Sequence, residues 1–573
     1  MKIFSHELRG MFLEAVTKTF PELSQEEVFA NTTLEEPRDI NHGDFACAVA
    51  FKLAKKLHQN PQEISEKILE NFPKDFRIES ISFANPGYLN IRLSHMCLAE
   101  ALKSLEQGFS VENPGAEHAR PIVIDYSSTN AAKHMGVHHI ITTILGDALA
   151  NLFSFMGYSV VRINHLGDWG TQFGKIIYAL EHWGDMKAVE KNPNEELSKL
   201  YVKFCEEEEK NPDLSEEARK IFKSLEDGDE TRIATWKWIV AESLKDLQKI
   251  FARLGVQFDH IMGESFYLKM ADEVIKDGLA RKLLKEGEGG ALIFPMGEEA
   301  VPALLRKGDS TTLYLTRDVA TIKYRVETWH PEAILYVVDR AQSLHFEQNF
   351  AVARAFSYAE DSGLEHIKFG RMSFEDSAMS TRKGNVIRLD AMLDEAVARA
   401  GQLAVKRGSE LPRAELFALT ETIGVASTKY AILSQDRNKD IIFDWNKIIT
   451  LEGNSAPYLL YSYARANSII GKAGDTVLSG MPALRDDAEK LLVRKMLKFP
   501  EALEGALNER KPHIIATALF ELCQEFNRFY STMPVLNAEN EADRRTRIGI
   551  VHAFMNELKS GLSILGIPVL MRM

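Results

Sequence analysis

No apolar run in this 573-residue chain approaches the ~20 residues that a membrane-spanning helix needs, so no membrane partner is expected. The opening stretch, Met1 to Val16, is an amphipathic pattern broken by charges, which predicts a helix and not a signal peptide. Cysteine is scarce. Cys47, Cys97, Cys205 and Cys523 lie far apart, without the paired spacing of a zinc module or a disulfide framework, so no structural metal is expected and a cytoplasmic location fits best. Internal repeats and low-complexity segments are also lacking, as is a basic excess. The net charge of −13 argues weakly against a nucleic-acid partner, but binding a polyanion needs local positive surface, not a positive total.

What is present is the composition of a globular protein, 45% apolar and 26% charged, on a chain too long for one core. Two to four domains are expected. Residues 1–110 mix helical stretches with short strands such as Ser82–Phe83 and Tyr88–Leu93, an α+β pattern closed by the turn-rich Glu112–Gly115. Residues 111–400 open with Ile122, Val123 and Ile124, a run of the kind that sits mid-sheet in parallel folds. Ile140, Ile141, Ile144, Leu145, Leu149 and Leu152 then form one helical stripe, Gly157 ends it, and Val160 to Ile163 reads as the next strand. A third strand is expected at Ile334–Val338. Strand, helix, strand within ~45 residues is a βαβ unit, which predicts a Rossmann-like α/β domain. A helical, acidic insertion at about 183–254 interrupts it, and its run Glu206–Glu209 reads as a solvated helix face, not a metal site. Residues 401–573 show helical periodicity with little strand signal and predict an all-α bundle.

The segment from Asp125 to His139 leaves the first strand and enters the first helix. Such a junction offers free backbone N–H groups and the positive end of a helix dipole to a phosphate. Histidines there can donate to a phosphate gaining charge in a transition state, and Gly136 lets a flat base approach the backbone. A plain polar loop with surface histidines is the other reading of the same residues.

The stretch resembles the first signature of class I aminoacyl-tRNA synthetases, usually His-x-Gly-His, in the setting typical of the arginyl-tRNA synthetase family: Ser128, Asn130 and Lys133, then the tetrapeptide. Asn164 to Gly174, Gly263 to Tyr267, Tyr314 to Asp318, Gln342 to Phe346, Phe443 to Trp445, Glu452 to Ser455 and the closing Leu565 to Ile567 with Arg572 and Met573 add to the likeness, in order, over nearly the whole chain. One departure stands out. The tetrapeptide reads Gly136, Val137, His138, His139, so the first histidine is replaced by glycine and His138 offers its imidazole from a different backbone position. The stretch from Ser377 to Asn385 resembles the second signature, a cationic loop that closes over a triphosphate, but Ala378 stands where the leading lysine is usual.

The resemblance implies ATP, carried with Mg²⁺, as a substrate held by Gly136, Val137, His139, Met379 and Ser380. It implies catalytic roles for Lys133, His138, His139, Arg382 and Lys383, with Lys133 compensating for Ala378. It also implies an arginine pocket in which Tyr314 and Asp318 meet the guanidinium and Asn130 and Gln342 the α-amino end; Asp125 sits where the family often has a longer Glu. A planar guanidinium calls for carboxylates of this kind. A charged, hydrogen-bonding side chain can be selected on binding alone, so no editing domain is expected.

The third partner implied is tRNA(Arg), read by the helical C-terminal region and contacted at its corner by the N-terminal one. His42 to Phe45 and Asn85 to Tyr88 look like turns of that N-terminal domain. Tyr458, Tyr461 and Arg465 suit unstacked bases, although aromatics on one helix equally suit a bundle core. Arg510–Lys511 and Arg544, Arg545 and Arg547 are candidate phosphate contacts. The family is mostly monomeric and generally needs bound tRNA before it activates arginine. A non-catalytic tRNA-binding paralogue is the alternative that the two altered signatures suggest, and a synthetase for another amino acid is a third reading, at odds with Tyr314 and Asp318.

Overall fold

The computed structural model describes residues 4–35, 37, 39–110, 119–297, 300–308, 313–374, 387–406, 411–474 and 480–573. Among them no helix is long and apolar enough to cross a membrane. At the centre lies a five-stranded parallel sheet, in spatial order Gly363–His366, Ala333–Tyr336, Ile122–Asp125, Val160–Leu166 and His260–Gly263. All four residues of Ile122–Asp125 are buried, as the central position and the covering helices require. From that strand the chain first builds outward through Val160–Leu166 and His260–Gly263, then returns to the other side at Ala333–Tyr336. The order reverses beside Asp125, which makes the carboxyl ends of Ile122–Asp125 and Ala333–Tyr336 the natural binding crevice of a doubly wound sheet.

Helix His138–Phe155 joins the first two of these strands and buries Ile140, Ile144, Leu145 and Leu149. It ends before Gly157, whose φ of 86° supplies the left-handed turn. Between the second and third strands run Thr171–Trp183, Pro193–Lys210, Asp213–Glu226 and Glu230–Leu254. The last of these is capped by Asp229 and closed by Gly255. Within the insertion, Glu208 pairs with Lys175 at 2.5 Å and Glu207 with Lys210 at 2.9 Å, so these two acids are engaged in ion pairs at the helix surface.

A four-stranded antiparallel sheet, Leu34–Glu35, Phe45–Cys47, Tyr88–Leu93 and Ile78–Ala84, carries the N-terminal region with five α-helices among its described residues. The C-terminal region is built on Arg413–Leu433, Ala456–Ala473, Asp487–Leu497, Phe499–Glu509, His513–Thr532 and Glu541–Ile564. One strand departs from the expected helical pattern there: Ile441–Phe443 pairs in parallel with Met372–Phe374. Ile441 and Phe443 point inward, and Ile442 is left exposed, so a three-residue alternation suffices to bind the bundle to the sheet domain.

Candidate active site

The loop after Asp125 is fixed by long-range hydrogen bonds, not by repetitive structure. Ala131 N–H donates to Gly167 O at 3.0 Å and Gly167 N–H to Thr129 O at 2.9 Å, which brings Asn130 against Gly167. Ala132 N–H donates to Ser243 Oγ at 2.8 Å on the last insertion helix. Ser127, Ser128 and Ala132 all take positive φ without being glycine, at 76°, 46° and 63°. Strain of this sort costs ~1–3 kcal/mol per residue and persists where the surroundings over-determine the backbone, commonly at binding sites.

The loop ends in the tetrapeptide, and helix His138–Phe155 starts at Val137 without a side-chain cap. Gly136 N–H donates to His139 Nδ1 at 3.2 Å. Burial, reinforced by neighbouring His138, pushes the His139 pKa down to about 4, so the ring is neutral at physiological pH. With Nδ1 accepting, its proton lies on Nε2, and the ring is an N–H donor. His138 is exposed, its ring centre 3.9 Å from that of His139, and burial lowers its pKa as well. Lys133 is exposed, with Nζ 4.8 Å from the ring centre of Tyr201 on the insertion helix Pro193–Lys210.

The residues bordering the second signature meet the first. Val137 N–H donates to Ile387 O at 3.0 Å and Leu389 N–H to Met135 O at 2.8 Å, a short bridge around Gly136 and Arg388. Met379, Ser380, Arg382 and Lys383 themselves lie outside the described residues.

A recess of charged residues adjoins this loop. Asp318, one turn from the exposed Tyr314 on helix Tyr314–Trp329, accepts from His345 Nε2 at 2.5 Å, and His165 Nε2 stands 3.9 Å from its other oxygen. Burial opposes the charge on Asp318, but the hydrogen bond and charge of His345 outweigh it and hold the carboxyl below its ordinary value. His345 is raised in turn by Asp318, against the effect of burial. Burial lowers His165. Asp125, 4% exposed, is held by the fully buried Arg325 at 2.8 Å. Arg317 reaches Glu264 at 3.1 Å and lies 4.7 Å from the ring centre of Tyr314. Burial raises the Glu264 carboxyl to about 7. Asp168 accepts from Ser265 N–H at 2.9 Å and from Ser265 Oγ at 2.6 Å. Gln342 closes a turn of 3₁₀ helix and is exposed.

Asp125, Tyr314, Asp318 and Lys133 were legible as candidates. Arg317 and His345 lie within the motif stretches Tyr314 to Asp318 and Gln342 to Phe346 without a role of their own, and Arg325 lies outside them, although Tyr314, Asp318 and Arg325 follow an i, i+4, i+11 spacing that puts them on one helix face.

In the bundle, the aromatics of Ala456–Ala473 divide. Tyr463 is core, and Tyr458 packs against Phe520 and accepts from Asn527 at 3.0 Å. Arg465 lies between the rings of Tyr461 and Tyr530, at 4.7 and 5.1 Å, and with both it lines an open cavity of about 740 Å³ that Met571, Arg572 and Met573 also line. The basic clusters proposed for phosphates are engaged internally: Arg547 with buried Glu489 at 2.8 Å, Arg545 with Glu541 at 3.0 Å, Arg510 with Glu365 at 3.3 Å and Lys511 with Glu509 at 2.7 Å.

Comparison with known proteins agrees with this arrangement. Residues 101–445 match the model of the class I (R) tRNA synthetase catalytic domain, 459–573 that of the DALR anticodon binding domain, and 6–93 that of the arginyl tRNA synthetase N-terminal domain. An arginine–tRNA ligase of Fusobacterium nucleatum is 38% identical over 580 residues, covering 100% of both chains. One from Alkaliphilus metalliredigens is also 38% identical, over 93% of this chain and 94% of its own. The crystal structure of arginyl-tRNA synthetase from Plasmodium falciparum superposes with a TM-score of 0.86 at 25% identity, covering 100% of each chain. With its catalytic, anticodon-binding and N-terminal parts all matched and its length covered end to end, the chain belongs to the arginyl-tRNA synthetases, the class I arginine–tRNA ligases.

Proposed function

We propose that the chain joins arginine to tRNA(Arg) through an arginyl-adenylate formed at the crevice beside Asp125 and Val337. Arginine's carboxylate attacks the α-phosphorus of ATP and pyrophosphate leaves with Mg²⁺, which enters with the nucleotide. The terminal ribose hydroxyl of the tRNA then takes the acyl group and releases AMP. No protein nucleophile is needed, because positioning and charge stabilisation supply the rate.

In this reading the uncapped start of His138–Phe155 and the Nε2–H of His139 face the phosphates, and Gly136 and Val137 border the adenine. Lys133 turns from Tyr201 to the triphosphate and replaces the cation missing at Ala378. Tyr314 and Asp318 take the guanidinium, and Asn130 and Gln342 the α-amino end. Asp125 acts through Arg325, as a fixed wall of the pocket. The reading is supported above all by Asp318, a carboxylate held ionised at the carboxyl end of the sheet, one turn from Tyr314. The cavity lined by Tyr461, Arg465 and Tyr530 is the surface proposed for anticodon bases, which stack on aromatic and guanidinium planes. Selection at a charged pocket makes editing unnecessary.

The test is ATP–pyrophosphate exchange with arginine, with and without tRNA(Arg). Exchange with arginine that depends on the tRNA is expected; no exchange under either condition refutes the reading. Lys133→Ala is expected to lower exchange by roughly 10²-fold or more, the scale of losing one oriented charge at a transition state, with tRNA affinity almost unchanged. Equal loss of both would remove Lys133 from its assigned role.

A further inference from the structure

Three carboxylates at the recess each carry a cation from elsewhere in the chain: Asp125 has Arg325 at 2.8 Å, Glu264 has Arg317 at 3.1 Å, and Asp318 has His345 at 2.5 Å. The first two cations are guanidiniums, which keep their charge at any pH compatible with folding. The third is an imidazole, whose ordinary pKa of ~6.5 lies inside the working range of a cell. Exposure separates the pairs in the same way. Side-chain exposure is 0% and 5% for Arg325 and Asp125, 9% and 9% for Arg317 and Glu264, but 27% and 24% for His345 and Asp318. Of these three, the pair open to a ligand is the one whose cation can discharge.

We propose that His345 is a specificity-determining counter-ion: when a guanidinium docks on Asp318, His345 gives up a proton, so that arginine uptake is coupled to proton release. This rests on the reading of Asp318 as the guanidinium site. The proton balance is simple. In the free state proposed, an imidazolium Nε2–H donates to Asp318 Oδ2 across the 2.5 Å contact between them. On docking, guanidinium N–H groups take the carboxylate's remaining edge, the proton on the other ring nitrogen leaves for solvent, and neutral His345 keeps its Nε2–H bond and its grip on the carboxylate. One cation replaces another, and the recess ends with the charge it began with. A neutral side chain of the same shape triggers no such exchange, since it leaves the imidazolium as the better partner.

The charged and titratable groups facing His345 and Asp318 are consistent with this. Arg317, beside Asp318 on the same helix, is committed to Glu264 on the turn after His260–Gly263. His165, on the neighbouring strand, is held toward its neutral form by burial and does not compete for the proton. The principal charge acting on His345 is that of Asp318. Neutralising that carboxylate therefore withdraws what keeps the imidazole protonated.

The sign follows. At low pH His345 keeps its proton in both states, two cations share one carboxylate, and arginine binds weakly. At high pH the imidazole is already neutral, and arginine binds tightly without proton release. Between these limits binding tightens as pH rises, by at most about tenfold per pH unit for one proton.

Calorimetric titration of arginine into the full-length protein, in two buffers of different ionisation enthalpy and from about pH 6 to about pH 9, bracketing the ordinary histidine value, counts the protons. The expected result is release of up to one proton near neutrality, with Kd falling as pH rises. His345→Gln, which donates but cannot titrate, is expected to lose that release and flatten the Kd profile. Binding without proton release in the unaltered protein, or equal release by His345→Gln, overturns the proposal alone. No arginine binding at any pH overturns the reading of Asp318 and the proposal with it. Should His345→Gln fail to fold, Glu264→Gln decides, because Glu264 is the other group of the recess that titrates near neutrality: proton release that persists in Glu264→Gln supports His345, and release lost there overturns the proposal.

Discussion

Glu264 sits among Asp168, Asp318 and Arg317 with 9% of its side chain exposed, and burial raises its carboxyl from 4.5 to about 7. Unfolded, the same group ionises near its ordinary value. Between these pH values the folded chain holds a proton that the unfolded chain has lost, so folding stability from this group is complete at low pH, declines as pH rises through about 7, and is level above it. The span from 4.5 to about 7 amounts to about 3 kcal/mol at most. Glu264→Gln keeps the shape and a partner for Arg317 but cannot titrate. Unfolding midpoints measured between about pH 5 and about pH 8, across the window that linkage assigns to this group, are therefore expected to fall less with pH in the variant than in the unaltered protein. Parallel slopes would mean that Arg317 keeps Glu264 ionised throughout.

Among the elements, the signature helix His138–Phe155 makes a tight demand. It crosses the exit of the strand Ile122–Asp125 so closely that a Cβ at Gly146 would collide with Cβ and Cγ of Tyr126. That ring cannot retreat. Tyr126 is fully buried, its hydroxyl donates to Gln257 O at 3.1 Å, and Phe258 packs on it at 4.7 Å. Gly146→Ala is expected to cost about 1–3 kcal/mol as overpacking and, because Tyr126 begins the loop to His139, to raise the KM for ATP. Gly471→Ala, on an exposed helix position with open space around it, is the control: it should be neutral or stabilising by up to about 1 kcal/mol. Thermal unfolding and exchange kinetics read both variants.

The same scale explains what the sequence reveals and what it hides. The strand Ile122–Asp125 and the helix that follows it are legible because they bury a continuous run and a full stripe, and Val160–Leu166, half-buried over its first three residues, is legible from its β-branched residues. The strands Lys285–Glu286, Leu292–Phe294 and Ala303–Arg306 are two to four residues long with mixed exposure, too short for an alternation to register. Ile441–Phe443 alternates cleanly but, at three residues, is also too short to register. At the site, types of residue are legible and partners are not. Asp125 invites a ligand until Arg325, 200 positions away and fully buried, takes its carboxylate. Arg544, Arg545 and Arg547 look available for phosphate until the acids one helical turn or one helix away are seen. Tyr461 and Tyr463, two residues apart, part company because one faces a cavity and the other the core, a choice made by the neighbouring helices.

Across the whole molecule, two buried charges tie the parts together. Arg494 of the bundle meets Asp44 of the N-terminal sheet at 2.7 Å, and Asp44 also accepts from Leu93 N–H. Lys429, 1% exposed on helix Arg413–Leu433, does more. Its ammonium donates to Leu254 O at 2.7 Å, where the insertion ends, and to Gly566 O at 2.8 Å, in the turn that leads to Met571–Met573, and stands 3.9 Å from Asp147 on the signature helix. Burial lowers the Lys429 pKa and raises that of Asp147, so each charge depends on the other and on the two carbonyls. Lys429→Met removes the ammonium but leaves two carbonyls and a carboxyl without it, a loss of about 3–5 kcal/mol by analogy with broken buried pairs. Because Asp147 can then protonate, Lys429→Met with Asp147→Asn should recover part of that loss. Amide exchange distinguishes a local defect from a shared one. Protection is expected to fall together at the end of Glu230–Leu254 and around Gly566, two segments that touch through Lys429 although they lie more than three hundred residues apart in sequence. Loosening confined to Arg413–Leu433 would show that the insertion and the C-terminal turn are held independently.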